Sequence, residues 1–167
     1  NIVKEVGEKL LDYDINCEII ATPGGAGAIS STMKNVLSVG ETVIKPSQGW
    51  GPYNTMAAEF GLNITSYNMF KGNSFDIEDF KTVLTDIMNK EGKVLVIIND
   101  PCHNPTGQHL SAAHRRALLD MFDRLSQKGP VSVILDLAYL EYARDVATVK
   151  NILEDYAQWG VSSSTLL

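Results

Sequence analysis

Two apolar runs constrain this chain more than anything else in it. Val94-Leu-Val-Ile-Ile98 is apolar at consecutive positions, and Val131-Ser-Val-Ile-Leu135 nearly so. A strand with one face in water alternates apolar and polar residues. A strand apolar at every position needs cover on both faces, as in a parallel sheet with helices above and below. Shorter β-branched stretches add strands near Glu18–Thr22, Thr42–Lys45 and Asn63–Asn68. The two long runs fit strands Lys93–Asn99 and Val131–Asp136, and a sixth strand is expected near Ser163–Leu167.

Segments of helical period lie between these strands. Helices are predicted over Ala26–Leu37, Tyr53–Phe60, Asp76–Asn89 and Ser111–Leu125, and over the first dozen residues. Ile77, Phe80, Val83, Leu84 and Ile87 form one apolar face, and Leu118, Leu119, Phe122 and Leu125 another. Ser111 has the chemistry of an N-cap. Gly61 and Gly92 are placed to stop helices. Strands alternating with helices imply an α/β fold, a three-layer, mainly parallel sheet with right-handed crossovers. A chain of 167 residues is the size of one domain.

Composition removes several function classes. The net charge is −6, and no basic cluster of the kind nucleic-acid binders carry stands out in the sequence. No apolar run approaches the roughly 20 residues of a membrane helix. Lys4, Glu5, Glu8 and Lys9 interrupt any leader-like apolar core. Cys17 and Cys102 cannot build a disulfide scaffold, and reduced thiols in a cytoplasmic protein are the expectation. The spacing of Cys102, His103, His109 and His114 does not match a paired zinc site, and no metal is expected. No Gly-x-Ser-x-Gly elbow is present.

In open α/β sheets, ligands bind beyond the carboxyl ends of the strands. Four segments stand there. Thr22-Pro-Gly-Gly-Ala-Gly-Ala28 precedes a helix, and its backbone N–H groups suit an anion such as phosphate; a tight turn without a ligand is the alternative. It lacks the Lys-Ser/Thr of a Walker loop and only partly resembles a dinucleotide fingerprint, with Ser30 where Gly or Ala is expected. Gln48-Gly-Trp-Gly-Pro-Tyr53 sets Trp50 between glycines, either against a planar ligand or as a core anchor. Asn99-Asp-Pro-Cys-His-Asn-Pro-Thr-Gly107 holds Asn104 between two Xaa-Pro steps, as an amide donor or in a structural turn. Leu135-Asp-Leu-Ala-Tyr139 ends an apolar strand with Asp136, a carboxylate that needs a cationic or donor partner unless it caps the next segment.

Taken together, Thr22–Ala28, Trp50, Asn104-Pro-Thr-Gly107 and Asp136-Leu-Ala-Tyr139 resemble the class I/II aminotransferases, pyridoxal-phosphate enzymes of the aspartate aminotransferase fold, in order and interval over most of the chain. The resemblance implies a fold-type I large domain and pyridoxal 5'-phosphate as cofactor. It implies amides of Gly25 and Ala26 on the cofactor phosphate and Trp50 stacked on the ring. Asn104 and Tyr139 would meet the phenolic oxygen, and Asp136 the protonated ring nitrogen. Asp136 and Tyr139 are then the catalytic candidates. Ala26 departs from relatives that carry Ser or Thr there, so somewhat weaker phosphate binding is expected.

The resemblance further implies amino transfer between an amino acid, of the aspartate or aromatic class, and a 2-oxo acid, in a cytoplasmic homodimer. The family's Schiff-base lysine follows a Ser-x-x-Lys or Ser-x-Ser-Lys pattern. Here Ser162-Ser-Ser-Thr165 is followed by Leu166 and Leu167, and Lys150 lies in or before a predicted helix. The expectation is that residues 1–167 are part of a large domain, without the lysine segment and the small domain, and inactive alone. Pyridoxal-phosphate-dependent lyases and aminocyclopropane-carboxylate synthases share the same ring contacts. A non-catalytic aminotransferase-like module and a dinucleotide-binding domain are the other readings.

Overall fold

The computed structural model describes residues 20–143 and 149–156. Its elements are α1 (Gly24–Val36), β1 (Thr42–Pro46), α2 (Pro52–Glu59), β2 (Asn63–Tyr67), β3 (Phe70–Lys71), β4 (Ser74–Phe75), α3 (Ile77–Glu91), β5 (Val94–Asn99), α4 (Ala112–Ser126) and β6 (Val131–Asp136). A 3-10 turn follows at Leu140–Tyr142, and residues 149–156 are helical. Four strands form a parallel sheet in the order β2-β1-β5-β6. A β3–β4 hairpin stands apart from it.

The apolar runs fold as their pattern demands. All six residues of β5 are buried. Val94, Val96 and Ile98 pack with Phe80, Leu84, Leu118 and Phe122 of α3 and α4. Leu95 and Ile97 pack with Ile29, Met33, Tyr53 and Ala57 of α1 and α2. Successive side chains of one strand therefore enter two different cores, which is the three-layer arrangement.

Local chemistry sets the helix ends. The Asp76 carboxylate accepts the Asp79 N–H at 3.1 Å, and the Ser111 hydroxyl accepts the His114 N–H at 3.2 Å; both are N-caps. Gly92 ends α3 in the left-handed conformation, φ 73°. A Cβ on Gly129 would lie 2.0 Å from the Gly92 carbonyl oxygen, so only glycine lets the turns before β5 and β6 abut. Glu91 locks the other side of the sheet. One oxygen accepts the Thr42 N–H at 2.9 Å and the other the Thr42 hydroxyl at 2.6 Å.

Three differences from the sequence reading emerge. Residues 20–22, the described part of the expected strand Glu18–Thr22, are irregular, and Ile20 is 81% exposed. No described strand lies beside them to complete a ladder. Gly24 and Gly25 belong to the first turn of α1 rather than to a loop before it. The hairpin at Gly72-Asn73 was not anticipated. The first predicted helix, the sixth strand and Cys17 lie outside the described residues.

Candidate functional site

Alternation puts Ile134 and Asp136 of β6 on one face, together with Leu95, Ile97 and Asn99 of β5. This is the face covered by α1 and α2. Asp136 is the last residue of its strand and half-buried. Its Oδ2 accepts the Tyr53 hydroxyl at 2.5 Å, and its Oδ1 accepts the Ala138 N–H at 3.0 Å. Each carboxylate oxygen thus has a donor and retains a free lone pair. The Asx-type turn onto Ala138 shows that the capping role weighed for Asp136 coexists with the Tyr53 contact.

Tyr53 comes from the first turn of α2, where Pro52 supplies the preset φ of a helix start. Only 1% of it is exposed. Burial raises its hydroxyl pKa far above the usual phenol value, and the bond to Asp136 adds to the rise. Trp50, half-buried, meets the Tyr53 ring edge-on at 5.5 Å between centroids and 85° between planes.

Asn104 sits across from Asp136 on the loop after β5. Its Nδ2 donates to the Tyr139 hydroxyl at 3.2 Å. Its backbone N–H donates to Asn99 Oδ1 at 2.7 Å, and Asn99 Nδ2 donates to the Asp136 carbonyl at 2.8 Å. The adjacent His103 is 2% exposed. Its Nδ1 lies 2.9 Å from the Thr106 hydroxyl, and its Nε2 has no hydrogen-bond partner. Burial lowers the His103 pKa, outweighing the Asp136 charge, and favours the neutral ring.

A buried ionic cluster closes the base of that loop. Asp100, 1% exposed, accepts the Leu110 N–H at 2.9 Å and the Tyr156 hydroxyl at 3.2 Å. Arg115 Nε donates to Asp155 at 2.9 Å, and its Nη1 donates to the Leu110 carbonyl. Burial raises the Asp100 pKa despite these donors and the nearby guanidinium. The cluster ties helical residues 149–156 to the loop that carries Asn104.

Gly25 and Ala26 lie exposed in the first turn of α1, where no side chain caps the helix. The N–H groups of that turn therefore lack side-chain acceptors. A Cβ on Gly27 would lie 2.6 Å from Pro23 Cδ, which explains the third glycine of the motif. Ile29 and Met33 of the same helix share a core with Ile134 of β6. Among the described residues, no hydrogen bond joins Gly25 or Ala26 to the Asp136 group.

The structure therefore connects Trp50, Asn104, Asp136 and Tyr139 through Tyr53 and Asn99, neither of which the sequence reading singled out. Tyr53 could have been found from its spacing, three residues after Trp50 at a helix start. Asn99 could have been found because, like Asp136, it ends an apolar strand with a polar side chain. Lys150 lies in the helical stretch 149–156, as expected, and its ammonium stands 3.7 Å from Glu154.

The chemical sense of the cluster is specific. An acceptor suited to a cationic N–H, two donors suited to an oxygen and an indole ring are linked by pairwise contacts beyond the carboxyl ends of β5 and β6. An uncapped helix start lies in the same layer. Among the described residues, no helix is long and apolar enough to cross a membrane.

Comparison with known proteins identifies the fold and the family. An aminotransferase of Anaerococcus prevotii superposes with a TM-score of 0.82 at 28% identity, covering 92% of this chain and 39% of that one. Cystalysin of Treponema denticola superposes with a TM-score of 0.65 at 18% identity, covering 78% of this chain and 32% of that one. In sequence, the chain is 28% identical to a histidinol-phosphate aminotransferase of Sulfurisphaera tokodaii over 83% of its own length and 36% of the relative's. It is 28% identical to human tyrosine aminotransferase over 61% of its length and 22% of the relative's. The chain thus spans well under half the length of these relatives. A family model for aminotransferase class I and II matches residues 4–164. The chain belongs to the class I and II aminotransferase family.

Proposed function

We propose that residues 1–167 are part of the cofactor-binding large domain of a pyridoxal-phosphate-dependent aminotransferase. The carrying observation is the Asn104–Tyr139 pair held beside Asp136 at adjacent strand ends. The donor set fits the cofactor. The Asp136 carboxylate would meet the ring nitrogen and keep its proton in place. Asn104 Nδ2 and the Tyr139 hydroxyl would converge on the phenolic oxygen, as preorganised donors for negative charge. Trp50 would cover one face of the ring. The N–H groups of Gly25 and Ala26 would hold the phosphate at the start of α1. When bound, pyridoxal phosphate supplies an electron-accepting ring that stabilises the charge left as the substrate Cα–H bond breaks.

The whole protein would move an amino group between an amino acid and a 2-oxo acid, as a cytoplasmic homodimer. Tyrosine and histidinol phosphate, in the names of the relatives, both carry a planar ring. Aspartate, in the name of a further relative, stands beside them as a candidate amino donor. Within residues 1–167 no lysine follows Ser162-Ser-Ser-Thr165, and the Ser-x-x-Lys stretch Ser31-Thr-Met-Lys34 lies in α1 rather than after β6, so this chain would bind cofactor without turnover.

Two measurements test this. Pyridoxal phosphate should quench the tryptophan fluorescence of the chain while NAD does not; equal responses would refute the site. The full reading frame, supplied with tyrosine and 2-oxoglutarate, should yield glutamate. Release of ammonia in place of glutamate would assign a lyase instead.

A further inference from the structure

Asn99 is the last residue of β5 and the register partner of Asp136. It is 5% exposed, and both ends of its amide are engaged. Oδ1 accepts from the Asn104 backbone N–H, and Nδ2 donates to the Asp136 backbone carbonyl. An N–H requires the oxygen and a carbonyl requires the NH2, so the two partners dictate the amide's orientation. Aspartate at 99 would keep the first bond and lose the second. Leucine would leave both backbone groups without their partner, at a cost for each that is buried.

These backbone groups belong to residues that, on the reading above, meet two different positions of one pyridine ring. Covalent geometry fixes the distance between the ring nitrogen and the phenolic oxygen. The protein must match that distance, and useful placement tolerates roughly 0.5 Å of error. Asn104, however, rides on a loop, whereas Asp136 ends a strand. The Asn99 amide is the direct tie between them.

We propose that Asn99 is a positioning residue that sets the spacing between the ring-nitrogen contact at Asp136 and the phenolic-oxygen contacts at Asn104 and Tyr139. The inference rests on the pyridoxal-phosphate reading and adds a residue to it.

The test uses the 167-residue chain with Asn99→Leu and Asn99→Asp, and two probes. The first is 4-deoxypyridoxine 5'-phosphate, which has no aldehyde and forms no bond to lysine. The second is its analogue without the phenolic hydroxyl. Tryptophan quenching reads affinity, and the absorbance of the bound first probe reads the ionisation of its ring. With the first probe, Asn99→Leu should bind on the order of tenfold more weakly, and its bound spectrum should move toward that of the free probe. With the second probe, the two chains should bind within about twofold of each other, because only one end of the ring is then gripped.

Asn99→Asp is close to isosteric and carries the test if the leucine variant does not fold. It should lose the spectral shift while the Asn104 amide stays protected from hydrogen exchange. If the unsubstituted chain binds neither probe, the pyridoxal reading fails and this inference falls with it. If it binds, but the variants match it in affinity and spectrum, the positioning role alone is refuted. Equal weakening of both probes would mark Asn99 as merely structural and would also overturn the proposal.

Discussion

Replacing Tyr53 with phenylalanine isolates one bond. The ring stays, so the edge-on contact with Trp50 and the packing against Ala57 are retained and no cavity opens. What disappears is the hydroxyl that donates to Asp136 Oδ2 at 2.5 Å. Hydrogen bonds to charged groups contribute about 1.5–3 kcal/mol. Asp136 is half-buried, so water can partly replace the lost donor, and the expected loss is near the lower end, about 1.5 kcal/mol. For a chain of this size that corresponds to roughly 3–6 °C in Tm. Urea unfolding at pH 7 should show a lower midpoint with an unchanged slope. Asp136→Asn made in both backgrounds should reveal a coupling of about 1 kcal/mol. The pH dependence has a definite sign. The folded pKa of Tyr53 is raised, so its contribution is complete below the ordinary phenol value near 10 and is lost as the pH climbs above it. Tyr53→Phe should therefore flatten the alkaline fall in stability. A variant within about 0.3 kcal/mol of the parent, or strictly additive double substitutions, would refute the reasoning.

Two further expectations follow from the same kind of contact. Glu91→Gln keeps the length of the side chain but weakens the two-bond grip on Thr42 at the start of β1, and urea unfolding should register a loss of about 1–2 kcal/mol. Burial tends to raise the Glu91 pKa, yet the Thr42 bonds outweigh it and the net shift is downward. The difference between Glu91 and its Gln variant should accordingly be full at neutral pH and shrink as the pH drops below about 4.5. His103 has a lowered pKa, so the unfolded chain takes up a proton first as the pH falls through 6.5. Stability should decline below that point, and His103→Gln should remove that part of the slope; an identical slope in the variant would contradict the neutral, buried ring.

The main strands and both helical layers follow from patterns visible in the chain itself, whereas the order β2-β1-β5-β6 does not. Val94–Ile98 needs cover on both sides, and helices with one apolar stripe each provide it. Asp136 and Asn104 could be singled out because a polar group at the end of a covered strand requires a reason. The bonds to Tyr53 and Asn99 were not visible. Tyr53 stands 83 residues from Asp136 in sequence, and nothing local in the chain reports that encounter. The irregular course of Ile20–Thr22 was hidden for a similar reason. A short β-branched stretch becomes a strand only when a neighbour completes its ladder, so propensity without a partner misleads.

The strand order β2-β1-β5-β6 has a consequence for the chain as it is made. β1 and β2 are close in sequence and can pair soon after they are made, but the other side of β1 lacks β5 until that strand has been synthesised. Parallel pairing across so long a stretch is slow to form, and an open strand edge invites association with other chains in the meantime. Between the making of Pro46 and of Val94, that edge of β1 stands open to pairing with another chain.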